Sequence, residues 1–522
     1  MISNIFKRIE KFFLYKNNLL IFVSFLIFIF FINSLLLSKN IFDPHHVNLV
    51  FAEASDFFNG KRLYKEIFIK YGVLSTLINA FGLNLFGDNI FSIFLLTNIF
   101  YFFSIFLLFI IFIQLKINKL HILFLVLIII NVHSSPTLPW SNFLAFLPII
   151  LSIFFLLPNQ KQFFFSGFFL SLSSLVRETY FISAVIIFLF VLYYLYINKN
   201  KKNLIFYTAG FFLPLILFFI YLILSENFLI WKELNFKSYR ADLELQVGFG
   251  SKYFNSVDNY YVKFFFKTIN KILSTISDAF AMWYFLMYLI FISCFCLLFL
   301  DFFKYKNITF KSVIALYSLA LSLQFFHIFE SWRFVCGSVV GIIIFNEYFN
   351  NFVKKKYVNT LYTIFLISFL IFNWKFYYYS TKNYIDFFQN NPQENFKKLN
   401  QFKNMNYSKE NHSFYLELIE YCQILKNSHN IKYSINYTGD SSLHYFCETI
   451  SRYYYPWKSN SLIDTSVKSF SSKYYPDATE KNTIIFLNFK NLSEIDNYRL
   501  LYLIKPNNQL IEHNFAIVQS KL

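Results

Sequence analysis

Hydrophobic positions in this chain come in long unbroken runs. They show neither the two-residue alternation of a half-buried strand nor the one-sided stripe of a soluble helix. The first run covers roughly Asn18–Leu37, and others lie near 89–115, 119–133, 140–157, 163–176, 179–197, 203–224, 279–300, 312–328, 334–349 and 357–373. Roughly 20 apolar residues in helical conformation cross the hydrocarbon layer of a bilayer, about 30 Å thick. The pattern predicts a polytopic α-helical membrane protein with about 11 transmembrane helices. The runs at 119–133 and 163–176 are short for that thickness and predict tilted, half-inserted or flank-extended helices.

The residues between the runs predict an orientation. Lys7, Arg8, Lys11 and Lys16 precede the first run, which is too long for a signal h-region and has no small-x-small cleavage site after it. The N-terminus is therefore expected in the cytoplasm. Alternation from there puts Lys116 and Lys119, Lys161, Lys199, Lys201 and Lys202, Lys304, Lys306 and Lys311, and Lys354, Lys355 and Lys356 on that same side, as the positive-inside bias requires. The outer side receives the 38–88 loop, His133–Trp140, Arg177-Glu178, Ser225–Asp278, His327–Arg333 and everything after about Phe376. Trp140, after Pro139, reads most simply as an interfacial aromatic anchor.

Beyond about 375 the continuous apolar runs stop. His412–Lys426 has helical periodicity, and Ile431–Tyr437 reads as a strand. A Gly439-Asp440-Ser441 turn then leads to a helix over Ser442–Tyr454, and Thr483–Asn488 and Phe515–Gln519 read as further strands. The organisation expected is a multispan membrane domain over 1–375, with the C-terminus out, and a small extracytoplasmic α/β domain over 376–522. Cys422 and Cys447 lie in that polar region, where an oxidising compartment would let them pair. Cys294, Cys296 and Cys336 lie in apolar runs and read as small buried hydrophobes.

Composition agrees with the pattern. The 522 residues are 57% hydrophobic and 15% charged, where a soluble domain carries about 25% charged. The net charge of +18 raises nucleic acid as a partner, but the basic residues sit between spans and no nucleic-acid motif accompanies them. P-loop, dinucleotide-binding and nucleophile-elbow signatures are also absent from the sequence.

The unusual stretch is the 38–88 loop, which carries a heavy polar load for so apolar a chain. Val47, Val50, Phe51, Ala54, Phe57 and Phe58 share one helical face; His46, Glu53, Asp56 and Asn59 share the other; Gly60 is a plausible stop. This predicts an interfacial helix over 44–59, lying flat with its apolar face on the membrane and its polar face towards a cavity. Asp43-Pro44 at its start fits two roles. Asp is a favoured N-cap and Pro a favoured first helical residue. A carboxylate at the membrane–water boundary can also act as a general base on a hydroxyl. Asp43, His46 and Glu53 form an incomplete ligand set that leaves a divalent metal open as a cofactor, beside the plainer reading of solvated polar residues.

Gly60-Lys-Arg-Leu-Tyr64-Lys-Glu66-Ile-Phe68, then Tyr71-Gly72-Val-Leu, then Leu85-Phe86-Gly87 resembles the first-loop pattern of the GT-C glycosyltransferase superfamily, which includes protein O-mannosyltransferase and aminoarabinose-transferase relatives. Val73 stands where that pattern usually has proline. The resemblance covers roughly 18–115 by motif and the remaining helices by layout. It implies a polyprenyl-phosphate-linked sugar as donor, a lipid, glycan or protein acceptor, and transfer at the outer face of the cytoplasmic membrane. It also implies an acidic first-loop residue as base, which is Asp43 by position, with Glu53 and Asp56 as the alternatives. The lipid phosphate calls for cations at the outer interface. Arg177 beside Glu178, and Arg333 beside Glu330 and His327, fit that need, as does Arg62 of the loop. Interfacial Arg–Glu pairs that merely anchor helix ends are the competing reading. His46, Asp56 and Tyr64 complete the expected substrate-binding set.

Two other functions compete. An O-antigen polymerase or ligase type of enzyme would use the late loop Ser225–Asp278, with Arg240, Asp242 and Glu244. A lipid-linked sugar transporter or flippase would show repeated halves and Gly/Pro-broken spans, whereas the chain has 11 Gly, 10 Pro and no visible repeat.

Overall fold

The computed structural model describes residues 16–44, 46–67, 69, 71–132, 137–233, 281–305, 307–323, 339–353, 357–364, 367, 399–407, 409–438, 440, 442–451, 477–479, 481–489, 498–504 and 514–520. Their helices, in chain order, are α1 (Lys16–Ser38), α2 (Val47–Phe58), α3 (Val73–Phe86), α4 (Ile90–Gln114), α5 (Lys119–Val132), α6 (Ser141–Leu156), α7 (Phe163–Val176), α8 (Tyr180–Ile197), α9 (Lys201–Leu224), α10 (Phe228–Glu233), α11 (Ala281–Phe299), α12 (Phe310–Ser322), α13 (Ile342–Phe352), α14 (Lys409–His429) and α15 (Leu443–Phe446). The strands are β1 (Tyr433–Tyr437), β2 (Ile450–Ser451), β3 (Thr483–Phe489), β4 (Tyr498–Ile504) and β5 (Asn514–Ser520).

Two compact units are assembled from non-contiguous segments. One comprises Met1–Leu35, Thr97–Thr137 and Ser141–Asn383; the other comprises Leu36–Leu96, Leu138–Trp140 and Tyr384–Leu522. The linear division expected at 375 is thus crossed in space: the first loop clusters with the C-terminal region.

The first unit is a helical bundle. Among the described residues, Asn18–Ser38, Ile90–Gln114, Tyr180–Ile197 and Lys201–Leu224 are helices long and apolar enough to cross a membrane, while α5, α6, α7 and α12 are apolar but shorter. The bundle is joined by small and polar residues, as expected where lipid removes the hydrophobic drive between helices. A Cβ added at Gly167 of α7 would lie 2.3 Å from the Tyr207 carbonyl oxygen, and one at Gly210 of α9 would lie 2.0 Å from that of Phe164. Two backbones therefore cross at a distance only glycine allows. Ser152 and Ser166 exchange hydrogen bonds with each other's carbonyls at 2.8 Å, and Tyr317 of α12 reaches Ser152 at 2.8 Å. Of the run expected over 334–349, the described residues from 339 onward form a 3₁₀ turn at Val339–Gly341 followed by the 11-residue α13.

The second unit is α/β. Its five strands follow the order β2-β1-β3-β5-β4. β1 is parallel to β2 and β3, and β5 is antiparallel to β3 and β4. Val47, Val50, Phe51 and Ala54 of α2, Leu83 of α3 and Phe94 of α4 share one core with Phe402, Tyr415, Leu418, Phe446, Phe486 and Phe515. Cys422 and Cys447 form a disulfide with a Cα–Cα distance of 5.2 Å.

Two expectations are corrected here. The first-loop helix does not lie flat on a surface: every residue from Val47 to Asp56 is buried, because its apolar face packs on the α/β core and its polar face packs on protein as well. A second helix, α3, follows it within the same loop. The helix expected over Ser442–Tyr454 ends at Phe446; Glu448 takes a left-handed φ of +50° and turns the chain into β2.

Candidate functional site in the first loop

Asp43 precedes α2 and is half-buried. Its Oδ1 accepts a hydrogen bond from the His46 backbone N–H at 2.9 Å, and its carbonyl accepts from the Asn48 N–H at 3.2 Å. Asp43 thus holds the turn that leads into the helix, but the N-cap position falls on His46, with no side-chain cap. His46 follows with its ring between two aromatic groups: Nδ1 lies 3.1 Å from the Tyr71 hydroxyl, and Trp140 meets the ring edge-on at 5.5 Å between centroids. Trp140, expected as a membrane-belt residue, thus also packs on the loop.

Further along α2, Glu53 is 4% exposed and accepts from the Thr76 hydroxyl of α3 at 3.2 Å. Asp56, 2% exposed, pairs with Lys61 Nζ at 2.8 Å and lies 3.6 Å from His444 Nε2. The three residues expected as a metal set, Asp43, His46 and Glu53, each engage a different partner. Among the described residues, no group of three or more His, Cys, Asp or Glu could hold a metal ion.

The Gly60–Ile67 motif is a folded turn. Gly60 has φ of +88° and Tyr64 φ of +65°, a left-handed conformation that costs a non-glycine residue about 1 kcal/mol or more. Tyr64 is buried, and its N–H bonds to the Ile67 carbonyl at 3.0 Å. Arg62 is largely exposed and its Nε meets Glu66 at 3.1 Å. Burial pushes the Glu66 carboxyl up, but the Arg62 hydrogen bonds and the Arg62 and Lys61 charges outweigh it and leave the group below its ordinary value.

Polar contacts that sequence reasoning missed tie α2 to the C-terminal region. Asn48 Nδ2 donates to Tyr415 OH at 3.0 Å and to Ser442 Oγ at 3.2 Å. Tyr415 OH, Ser442 N and Ser442 Oγ in turn donate to Asp440, at 2.5, 2.9 and 2.7 Å. Burial pushes the Asp440 carboxyl up, and these hydrogen bonds restrain the rise. Ser55 Oγ donates to Asp88 Oδ1 at 2.8 Å and lies 3.1 Å from Tyr445 OH. Burial also raises Asp88, against the Ser55 hydrogen bond and with help from the Asp56 charge. No residue spacing in the sequence announces the bonds from Asn48 and Ser55 to Tyr415, Ser442 and Tyr445, which span 367 to 394 positions.

In the first unit, Arg177 is 4% exposed at the C-terminal end of α7, a favourable place for a cation. Its Nε donates to Thr179 Oγ1 and its Nη1 to Ser141 Oγ, both at 2.9 Å. Glu178 is pushed up to about 8 by desolvation, with the nearby Trp231 side chain of α10 pulling the other way. His327, Glu330 and Arg333, and the alternative set Arg240, Asp242 and Glu244, lie outside the described residues.

Known structures share this architecture. The chain is similar to the crystal structure of ArnT from Cupriavidus metallidurans bound to undecaprenyl phosphate, at TM-score 0.53 and 8% identity, over 96% of this chain and 97% of that one. The same enzyme's apo structure aligns at TM-score 0.50 and 7% identity with the same coverage. This chain therefore has the overall fold of those two structures. No family model and no curated protein matches the sequence.

Proposed function

We propose that this protein is an integral-membrane glycosyltransferase of the GT-C type. It moves a sugar from a polyprenyl-phosphate carrier to an acceptor hydroxyl on the outer side of the cytoplasmic membrane, with Asp43 as base. The observation that carries the reading is the fold: nearly the whole chain follows a structure that holds undecaprenyl phosphate. The disulfide supports an oxidising, extracytoplasmic location for the second unit, and that unit includes Leu36–Leu96, hence Asp43.

In this reading the Asp43 carboxylate takes the proton of the acceptor hydroxyl. The oxygen attacks the anomeric carbon, and the bond from that carbon to the phosphate oxygen breaks. Polyprenyl phosphate leaves with the electron pair, and one such displacement inverts the anomer. The His46 N–H bond to Oδ1 holds the carboxylate at a defined place, a condition of proximity catalysis. Arg177, a buried guanidinium held by two hydroxyls, is our candidate cation for the lipid phosphate, with Arg62 and Arg333 as the others.

The experiment is transfer by the purified protein from polyprenyl-phosphate-linked sugars. Asp43→Asn keeps an Oδ1 able to accept that bond, removes the base, and is expected to lower kcat by about 10²–10⁴-fold while donor binding persists. Full activity in that variant would remove Asp43 from the role. Wild-type protein that binds undecaprenyl phosphate but never transfers a sugar would favour the transporter reading.

A further inference from the structure

We propose that residues 399–407, whose side-chain hydrogen bonds to the first loop span 366 positions of sequence, are a strap that positions Asp43, with Tyr407 and Asn406 as the positioning residues. The inference rests on the base role given to Asp43 above. It starts from a gap: α1 ends at Ser38 and α2 begins at Val47, so Asp43 sits on a connection between helices.

Three hydrogen bonds from two adjacent residues secure that connection. The Asn406 backbone N–H donates to the Lys39 carbonyl at 2.8 Å, Asn406 Nδ2 donates to Asn40 Oδ1 at 2.8 Å, and Tyr407 OH donates to the Ile41 carbonyl at 2.9 Å. Phe42, the residue before Asp43, has its ring edge-to-face with Tyr407 at 5.0 Å and with Tyr415 at 6.4 Å. Each of residues 39 to 42 is thus held from the 399–415 side, and the His46 N–H holds Asp43 from the helix side.

The strap is itself anchored. Phe402, 1% exposed, packs on Tyr407, Tyr415 and Phe446 at 4.9, 5.1 and 5.8 Å, and the Leu399 N–H donates to His412 Nδ1 at 3.3 Å. The Tyr407 phenol is buried, and burial first, the Asp43 charge second, hold its ionisation far above the ordinary tyrosine value. It stays a donor at every working pH. A loop that carries a base gains nothing from flexibility, because a misplacement of about 1 Å can cost as much as 10²-fold in rate.

The test is Tyr407→Phe in the full-length protein, which removes one hydroxyl and keeps the ring. We expect kcat to fall about tenfold with the donor KM within about twofold. Amide exchange across residues 39–46 should rise about fivefold, in line with a hydrogen bond worth about 1 kcal/mol. Tyr502→Phe removes a phenol that bonds Glu417 in the same unit and is the control: kcat and exchange across 39–46 should not change. Unchanged kcat in Tyr407→Phe overturns the proposal, and so does a loss of kcat matched by general destabilisation with exchange raised everywhere. If wild-type protein transfers no sugar, the proposed function fails, and exchange across 39–46 still decides whether the strap holds the loop.

Discussion

The Cys422–Cys447 disulfide should carry much of the stability of the second unit. It closes a loop with a sequence separation of 25, and the chain-entropy relation gives about 3.5 kcal/mol for a loop of that length. In a unit of this size each kcal/mol moves the unfolding midpoint by about 2–4 °C, so Cys422→Ser/Cys447→Ser should unfold about 7–14 °C lower. The effect reaches the first loop. Cys447 immediately follows α15, whose Tyr445 and Phe446 contact Ser55 and the shared core, and whose His444 faces Asp56. The assay is thermal unfolding of the purified protein with and without reductant, beside alkylation in denaturant. Three of the five cysteines should label before reduction and all five after it. Five labelled cysteines without reductant, or a double variant as stable as the oxidised parent, would refute the reasoning.

Two titrations follow from partly buried carboxyls. Asp440 has a raised value in the folded protein, so the folded state binds its proton more tightly than the unfolded state. Its stability contribution is present in full below about pH 4 and declines as pH climbs through the raised value. The wild-type unfolding midpoint should fall over that range, and Asp440→Asn should flatten part of the slope; superimposable pH profiles would count against it. Glu178, raised to about 8 from 4.5, has the same sign over a wider window: its contribution is present below pH 4.5 and is lost by about pH 8. Glu178→Gln keeps the side-chain shape, removes the titrating proton and should remove that dependence, read as unfolding midpoint against pH.

Helix positions in the first unit were legible because membrane burial demands continuous apolar runs. The expected 89–115, 163–176 and 179–197 correspond closely to Ile90–Gln114, Phe163–Val176 and Tyr180–Ile197. β1, β3 and β5 were legible from short apolar stretches between polar ones. β4 was not, since Tyr498–Ile504 has no clean alternation. α3 was hidden because Val73–Phe86 mixes Ser75, Thr76, Asn79 and Gly82 into an apolar stretch, and only packing gives those polar residues their reason.

The site was legible in part. Asp43 stood out as a charged residue beside a proline at the end of an apolar run, and its side chain bonds the His46 N–H just before the helix instead of capping the helix itself. The surroundings of Asp43 were not legible. A one-sided helix of a dozen residues suits a lipid surface or a protein core equally well by periodicity, and α2 packs in a core. Glu53 and Asp56, which look like solvent-facing acids in sequence, are buried and partnered.

The sequence by itself determined that this is a membrane protein, where most of its helices run, and that its polar first loop differs from the apolar runs around it. Hydrophobicity and helical period are local properties, and a single pass along the chain reads them. Tertiary structure alone decided that residues 36–96 belong with 384–522, that Cys422 bonds Cys447, and that Asn406 and Tyr407 hold the backbone beside Asp43. These are pairings between residues far apart in sequence, whose partners are chosen by the folded core.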